Sequence, residues 1–328
     1  MKICIVGAGA VGGMLGTRLA AAGEAELTAI ARGATLAALR THGWRLREAG
    51  RLIHAPAQVA EHPAQLGVQD VVLIAVKGPA LAPVAQSIAP LLGPHSVVLP
   101  AMNGVPWWFC DGIAALAGAP LASVDAGGHI AAAIPVDRVI GSVVHASVST
   151  SAPGLVEHAM GRGLILGEAR GGKSARVEAL AGLFARAGFE VSHSGDIRRD
   201  IWYKLWGNMT LNPVSALTGA TGDRILADPL LRAFCAAAMR EAAAIGARLG
   251  CPIEQDPEQR FAISAKLGAF RTSMLQDAEA GRALELDALV GAVHELGLRL
   301  GLATPNIDAI FGLARLYGRT HGLYASGE

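Results

Sequence analysis

Residues 2–13 read K-I-C-I-V-G-A-G-A-V-G-G. Residues 2–6 form the short apolar run expected of a buried parallel strand. The motif Gly7-Ala8-Gly9-Ala10-Val11-Gly12 follows at once, and residues 11–22 then have helical composition. A glycine loop placed between a strand and a helix is the context in which G-x-G-x-x-G cradles a dinucleotide. Gly7 makes the tight turn, Gly9 lets the main chain approach the pyrophosphate, and Gly12 lets helix and strand pack closely. Free N–H groups at the helix N-terminus favour the phosphates, so Ala8, Ala10 and Val11 belong to the predicted loop with the glycines.

Working outward, residues 27–31, 71–76 and 97–99 read as further buried strands, with a helical pattern over 80–91. Strands alternating with helices imply an α/β fold with a parallel sheet covered on both faces. The second strand ends in Arg32. An NAD site wants a carboxylate there, whereas a guanidinium can grip a 2′-phosphate, so the expected cofactor is NADP(H). Residues 138–151 and 154–167 read as antiparallel strands on the far side of the sheet, followed by a helix over 174–187 and a strand over 189–193. From 197 to 323 the sequence offers helical runs only, including 230–249, 280–300 and 307–317. The expected organisation is a Rossmann-type nucleotide domain over 1–194 and an all-α domain for substrate and catalysis over 195–328.

Composition excludes several classes. The net charge is +1 and aromatics are 5% of residues, which gives neither a basic field nor a stacking platform for nucleic acid. Apolar residues are 52% and charged residues 17%, enough for a large core. The apolar start breaks into glycines after Val6, unlike a signal peptide, and no unbroken apolar span is long enough to cross a membrane. Cys4, Cys110, Cys235 and Cys251 form no C-x-x-C pair, so no metal site is expected and the thiols read as reduced structural residues of a cytoplasmic protein. The Ala- and Gly-rich stretch 236–247 is either helical core or a face for a second copy in a homodimer.

The segment 202–213, W-Y-K-L-W-G-N-M-T-L-N-P, sets Lys204, Asn208 and Asn212 four apart, on one face of a helix that is otherwise apolar. Three polar groups there are costly unless something pairs with them, so the stripe reads as ligand-facing or as a hydrogen-bond network. A lysine in an apolar cleft can serve as a general acid, and a facing carboxylate could orient it. Residues 273–277, S-M-L-Q-D, and the later Glu285-Leu286-Asp287 form a second polar cluster; taken alone, Glu285 and Asp287 read as a solvated helix face. Lys77 and Asn103-Gly104 follow predicted strands, at the ends where open α/β sheets bind ligands.

In order and spacing, these motifs resemble the ketopantoate reductases along the full chain. The resemblance implies NADPH-dependent reduction of a small 2-keto acid, with ketopantoate to pantoate as the leading reaction in pantothenate biosynthesis. It implies that Lys204 donates a proton to the carbonyl oxygen as hydride arrives. Lys77 and Asn103 match positions near the cofactor ribose and the reacting centre. Asn208 and Asn212 match substrate-binding asparagines, and Ser273 matches a hydroxyl that holds the substrate carboxylate. Glu285 matches a carboxylate at the nicotinamide end linked to catalysis. The sequence departs from the pattern at Ala80, Gly222 and Phe270, where the family often carries Gln, Asn and Asn. A less polar pocket follows, and with it the reading of a paralogue, a reductase or dehydrogenase for another branched or bulky 2-keto acid; the glycine loop alone would also serve a non-catalytic NADP-binding sensor.

Overall fold

The computed structural model describes residues 1–116 and 118–325. The first elements are β1 (Lys2–Val6), α1 (Ala10–Ala22), β2 (Glu26–Ile30), α2 (Gly33–His42), β3 (Trp44–Glu48), β4 (Arg51–Ala55) and β5 (Gln58–Ala60). There follow β6 (Gln69–Ile74), α3 (Leu81–Ser87), β7 (Leu92–Pro100), α4 (Ala122–Asp125), α5 (His129–Ala133), β8 (Ile140–Ala152), β9 (Leu155–Glu168), α6 (Ala175–Arg186) and β10 (Glu190–His193). The rest is helical: α7 (Ile197–Thr218), α8 (Gly222–Ala227), α9 (Pro229–Arg248), α10 (Pro257–Ala265), α11 (Ser273–Glu279), α12 (Ala292–Leu300) and α13 (Pro305–Thr320).

The chain divides into two compact units, Met1–Met102 with Gly128–Asp200, and Asn103–Gly127 with Ile201–Glu328. The expected single cut at 194/195 therefore differs from the structure in one important segment. Residues 103–127 lie with the helical unit because their backbone bonds there: Val105 N–H donates to Ala288 O at 2.8 Å, and the Glu295 carboxylate accepts from Ala122 and Ser123 N–H at 2.9 and 2.8 Å.

In the first unit, β5-β2-β1-β6-β7 form an all-parallel sheet. Its central strands are apolar on both faces, with Ile3, Cys4, Ile5, Val72, Leu73 and Ile74 at 0–1% exposure, as a sheet covered on two sides requires. The predicted antiparallel hairpin is β8 with β9, and it belongs to a second sheet in which β9 also pairs in parallel with β3 and β10. The hairpin β3–β4 completes that sheet. It was not expected from sequence, although Trp44 and Leu46 alternate inward with Arg45 and Arg47 ahead of an Ala49-Gly50 turn. A Cβ on Gly16 would lie 2.5 Å from the Trp44 ring, so only glycine lets α1 approach β3 this closely.

The second unit contains helices and no strand among the described residues. It is built on two buried tryptophans of α7: the Trp202 ring lies 5.7 Å from Phe109, and Trp206 Nε1 donates to Met239 O at 2.6 Å. The expected helix over 280–300 begins later. Gly281 takes φ +64°, and residues 282–285 run without helical structure, with Leu284 N–H donating to Leu323 O at 2.8 Å. A π-turn over Asp287–Gly291 then leads into α12. One face of the 236–247 stretch is helical core, with Ala236, Ala238, Met239, Ala242 and Ile245 at 0–2% exposure, while Ala244 and Ala247 are exposed. The four cysteines are buried and form no disulfide among the described residues; burial pushes the Cys4 thiol up to about 11 and the Cys235 thiol up to about 12. Among the described residues, no helix is long and apolar enough to cross a membrane, and no group of three metal-ligating side chains comes together.

Candidate active site

The loop after β1 takes the form its glycines dictate. Gly7 has φ +97°, and a Cβ there would sit 2.7 Å from Val76 Cγ1 and 2.9 Å from Ala75 O. A Cβ on Gly12 would lie 2.0 Å from Gly7 O, so α1 can start against β1 only without a side chain at that position. At Gly9 a Cβ would meet nothing within 4 Å, leaving open space beside the main chain. Gly9 is the N-cap of α1 and caps it with no side chain, and the first turn holds no acidic residue. The N–H groups of Ala10, Val11 and Gly12 thus have no helical acceptor, and the first turn brings no carboxylate of its own to the positive end of the helix dipole. Ala8 is buried, while Ala10 and Val11 are partly exposed.

Arg32 stands two residues beyond β2, exposed, as the N-cap of α2, and makes no ion pair among the described residues. Lys77 follows β6 and is partly buried. All these residues belong to the first unit.

The second unit assembles the other group. Lys204 Nζ donates to Asn103 Oδ1 at 2.7 Å, joining residues 101 apart in sequence. Burial lowers the Lys204 ammonium to about 8, the larger effect, while the nearby Glu285 carboxylate opposes it by favouring the charged form. At pH 7 such a group is still protonated in roughly ten molecules to one, yet releases its proton far more readily than an exposed lysine. Asn208 lies one turn further along α7 and is partly exposed. Asn212, one turn beyond, is 6% exposed and its Nδ2 donates to Ser273 Oγ at 3.5 Å. Ser273 is exposed at the start of α11, whose N-cap Thr272 accepts from Leu275 N–H. The three-residue stripe and the distant cluster at 273–285 are therefore brought together within one unit. Glu285 lies before the helix and acts on Lys204, so its reading as a solvated helix face is corrected.

Sequence reasoning named Asp287, Gly222 and Phe270 but missed two pairings. The Asp287 carboxylate accepts from the Tyr324 hydroxyl, and burial holds Asp287 above the usual carboxylate range. The only early signal was the spacing of Asp287 from Glu285; nothing in the sequence linked either residue to Tyr324. The Phe270 ring also fills the volume over Gly222, where a Cβ would lie 2.1 Å from Phe270 Cε1, and Gly222 N–H donates to Phe270 O at 2.9 Å.

Two family models cover most of the chain. Residues 3–171 match the ketopantoate reductase PanE/ApbA model, and residues 196–318 match its C-terminal counterpart. The chain belongs to the ketopantoate reductase family. It is thus an oxidoreductase with a Rossmann-type α/β unit and an all-α unit. It is 46% identical over 326 residues to a 2-dehydropantoate 2-reductase of Mesorhizobium japonicum, covering 99% of this chain and 100% of that one. A crystal structure of a provisionally assigned ketopantoate reductase from Ralstonia solanacearum MolK2 superposes with TM-score 0.94 at 58% identity, over 98% of this chain and 99% of that chain. The 2-dehydropantoate 2-reductase of Geobacter metallireducens GS-15 superposes with TM-score 0.85 at 26% identity, over 97% and 100%.

Proposed function

We propose that this protein reduces a 2-keto acid to a 2-hydroxy acid with NADPH, with ketopantoate to pantoate as the leading reaction. The observation that carries the reading is Lys204: a partly buried ammonium lowered to about 8, held by Asn103 Oδ1 and facing Glu285. Hydride addition to a ketone builds negative charge on oxygen, and an ammonium of this kind stabilises that charge and supplies the proton. The relatives named for 2-dehydropantoate reduction support the substrate class.

The residues present fit a dinucleotide. The open space at Gly9 and the uncapped start of α1 suit a pyrophosphate on Gly7, Ala8, Gly9, Ala10, Val11 and Gly12. Arg32 suits a 2′-phosphate, and Lys77 and Asn103 suit the ribose and the reacting end. The bound cofactor would supply the hydride. Every other task falls to side chains of this chain. Lys204 donates the proton from Nζ, and Asn103 Oδ1 fixes where that nitrogen points. Glu285 keeps Lys204 charged and, by the family resemblance, would contact the nicotinamide end of the cofactor. Asn208 and Asn212 offer amide donors to the substrate without adding charge, and Ser273 Oγ holds its carboxylate. The protein works in the cytoplasm in this reading, and a homodimer would form through the helical unit; sedimentation velocity tests whether one forms.

The deciding experiment is a panel of 2-keto acids with NADPH and NADH, followed by absorbance of the reduced cofactor. Turnover with NADPH and ketopantoate is expected. Saturable NADPH binding without oxidation on any substrate would overturn the reading in favour of a sensor. Phe270 over Gly222 favours a second outcome, since an aromatic ring and a glycine stand at two positions where the family resemblance leads one to expect asparagines. A higher kcat/KM for a branched or bulky keto acid without a hydroxyl would identify a paralogue. Ser273→Ala is expected to raise KM for the keto acid about tenfold, the worth of one hydrogen bond to a charged group, with kcat little changed. An unchanged KM would remove Ser273 from the carboxylate site.

A further inference from the structure

Glu285 and Asp287 flank the start of a π-turn. Ala292 N–H donates to Asp287 O, five residues back, so the helix carries one extra residue per ring over Asp287–Gly291. Such turns are frequent at functional sites. This one is pinned from two directions. On one side Val105 N–H donates to Ala288 O at 2.8 Å, and Gly104, with φ +88°, lies so close that a Cβ would meet Ala288 O at 2.5 Å. Asn103, the acceptor for Lys204, is the next residue along that strand of chain.

On the other side the Tyr324 hydroxyl donates to Asp287 Oδ1, and Leu284 N–H donates to Leu323 O at 2.8 Å. The segment supplying these groups is itself fixed. Leu323 and Tyr324 N–H both donate to Gly318 O, at 2.7 and 3.1 Å. The charged groups around this contact are Arg315, which faces both Asp287 and Tyr324, and Arg319, whose guanidinium lies 5.9 Å from the Tyr324 ring centroid.

We propose that Tyr324 and Asp287 are positioning residues for Lys204: their hydrogen bond holds the 284–291 segment, which carries Glu285 and seats Asn103. Neither touches the ammonium. They act through Glu285, whose charge favours protonated Lys204, and through Asn103, whose carbonyl accepts from it. Loosening the segment withdraws both partners, and burial, which opposes the charge, then dominates. The assignment of Lys204 as proton donor rests on the preceding reading, but the positioning itself can be tested without turnover.

The test is an NMR titration of the full chain labelled with [13Cε]lysine, the Lys204 signal being assigned by its loss in Lys204→Ala. Tyr324→Phe, Asp287→Asn and Glu285→Gln are compared with the unsubstituted protein, with thermal unfolding as a check on folding. Lys204 in Tyr324→Phe and in Asp287→Asn is expected to titrate about 0.5–1 pH unit lower, in the same direction as in Glu285→Gln. The basic limb of kcat/KM should move with it, so that activity at pH 9 falls about three- to tenfold. An unshifted Lys204 titration in folded Tyr324→Phe, while Glu285→Gln shifts it, overturns the positioning role. A shifted titration with turnover retained in Lys204→Ala upholds the positioning role and instead refutes Lys204 as proton donor.

Discussion

Lys204→Ala is expected to lower kcat by roughly 10²–10⁴, the usual contribution of a positioned general acid. A thousandfold loss corresponds to about 4 kcal/mol of transition-state stabilisation. The reason is specific to this lysine. Burial brings its pKa to about 8, so it remains charged at neutral pH while being a better donor than an exposed lysine. Its removal leaves Asn103 Oδ1 without that hydrogen bond and leaves developing alkoxide charge unanswered. KM should change less than kcat, because the proton is transferred only in the transition state. In the unsubstituted enzyme kcat/KM should decline above about pH 8, as the ammonium loses its proton. Initial rates of cofactor oxidation between pH 6 and 10 check both statements. An undiminished kcat in the variant excludes Lys204 as the donor. Thermal unfolding separates chemistry from folding: the variant loses the partner of Asn103 Oδ1 and Glu285, so some loss of stability is expected and is measured apart from the loss of kcat.

Arg32→Ala is expected to reduce kcat/KM with NADPH by roughly 10–100-fold and to leave the NADH value within about threefold. A hydrogen bond to a charged group is worth about 1.5–3 kcal/mol, and each 1.4 kcal/mol is a factor of ten. The position favours the larger part of this range, since Arg32 is the exposed N-cap of α2 with no ion pair among the described residues to give up first. Exposure also makes the contact sensitive to salt, so the comparison belongs at low ionic strength. Equal losses with both cofactors would assign Arg32 to general phosphate attraction and sink the preference for NADP(H).

Much of the fold was legible because its signals are local. β1, α1 and the loop between them follow from an apolar run and three glycines whose Cβ atoms would meet backbone or open space. The β8–β9 hairpin was legible from β-branched residues closing on Gly154. The hairpin β3–β4 is just as regular, but Arg45, Arg47 and Glu48 in β3 and Arg51 and His54 in β4 mask a pattern whose inward members are Trp44, Leu46 and Ala55. The helix expected over 280–300 failed because helix-forming composition continues past Gly281, while main-chain bonding to Leu323 keeps Leu284 out of the helix.

By itself, the sequence determined the glycine loop, Arg32 at the end of the second strand, and the four-residue spacing of Lys204, Asn208 and Asn212. These are facts of composition and helical period, set within a few residues of one another. Only the tertiary structure decided that residues 103–127 join the helical unit, that Asn103 meets Lys204, that Phe270 fills the space over Gly222, and that Tyr324 holds Asp287. Each of these depends on which surfaces bury together across long stretches of chain. Packing settles that, and the local pattern of residues carries no record of it.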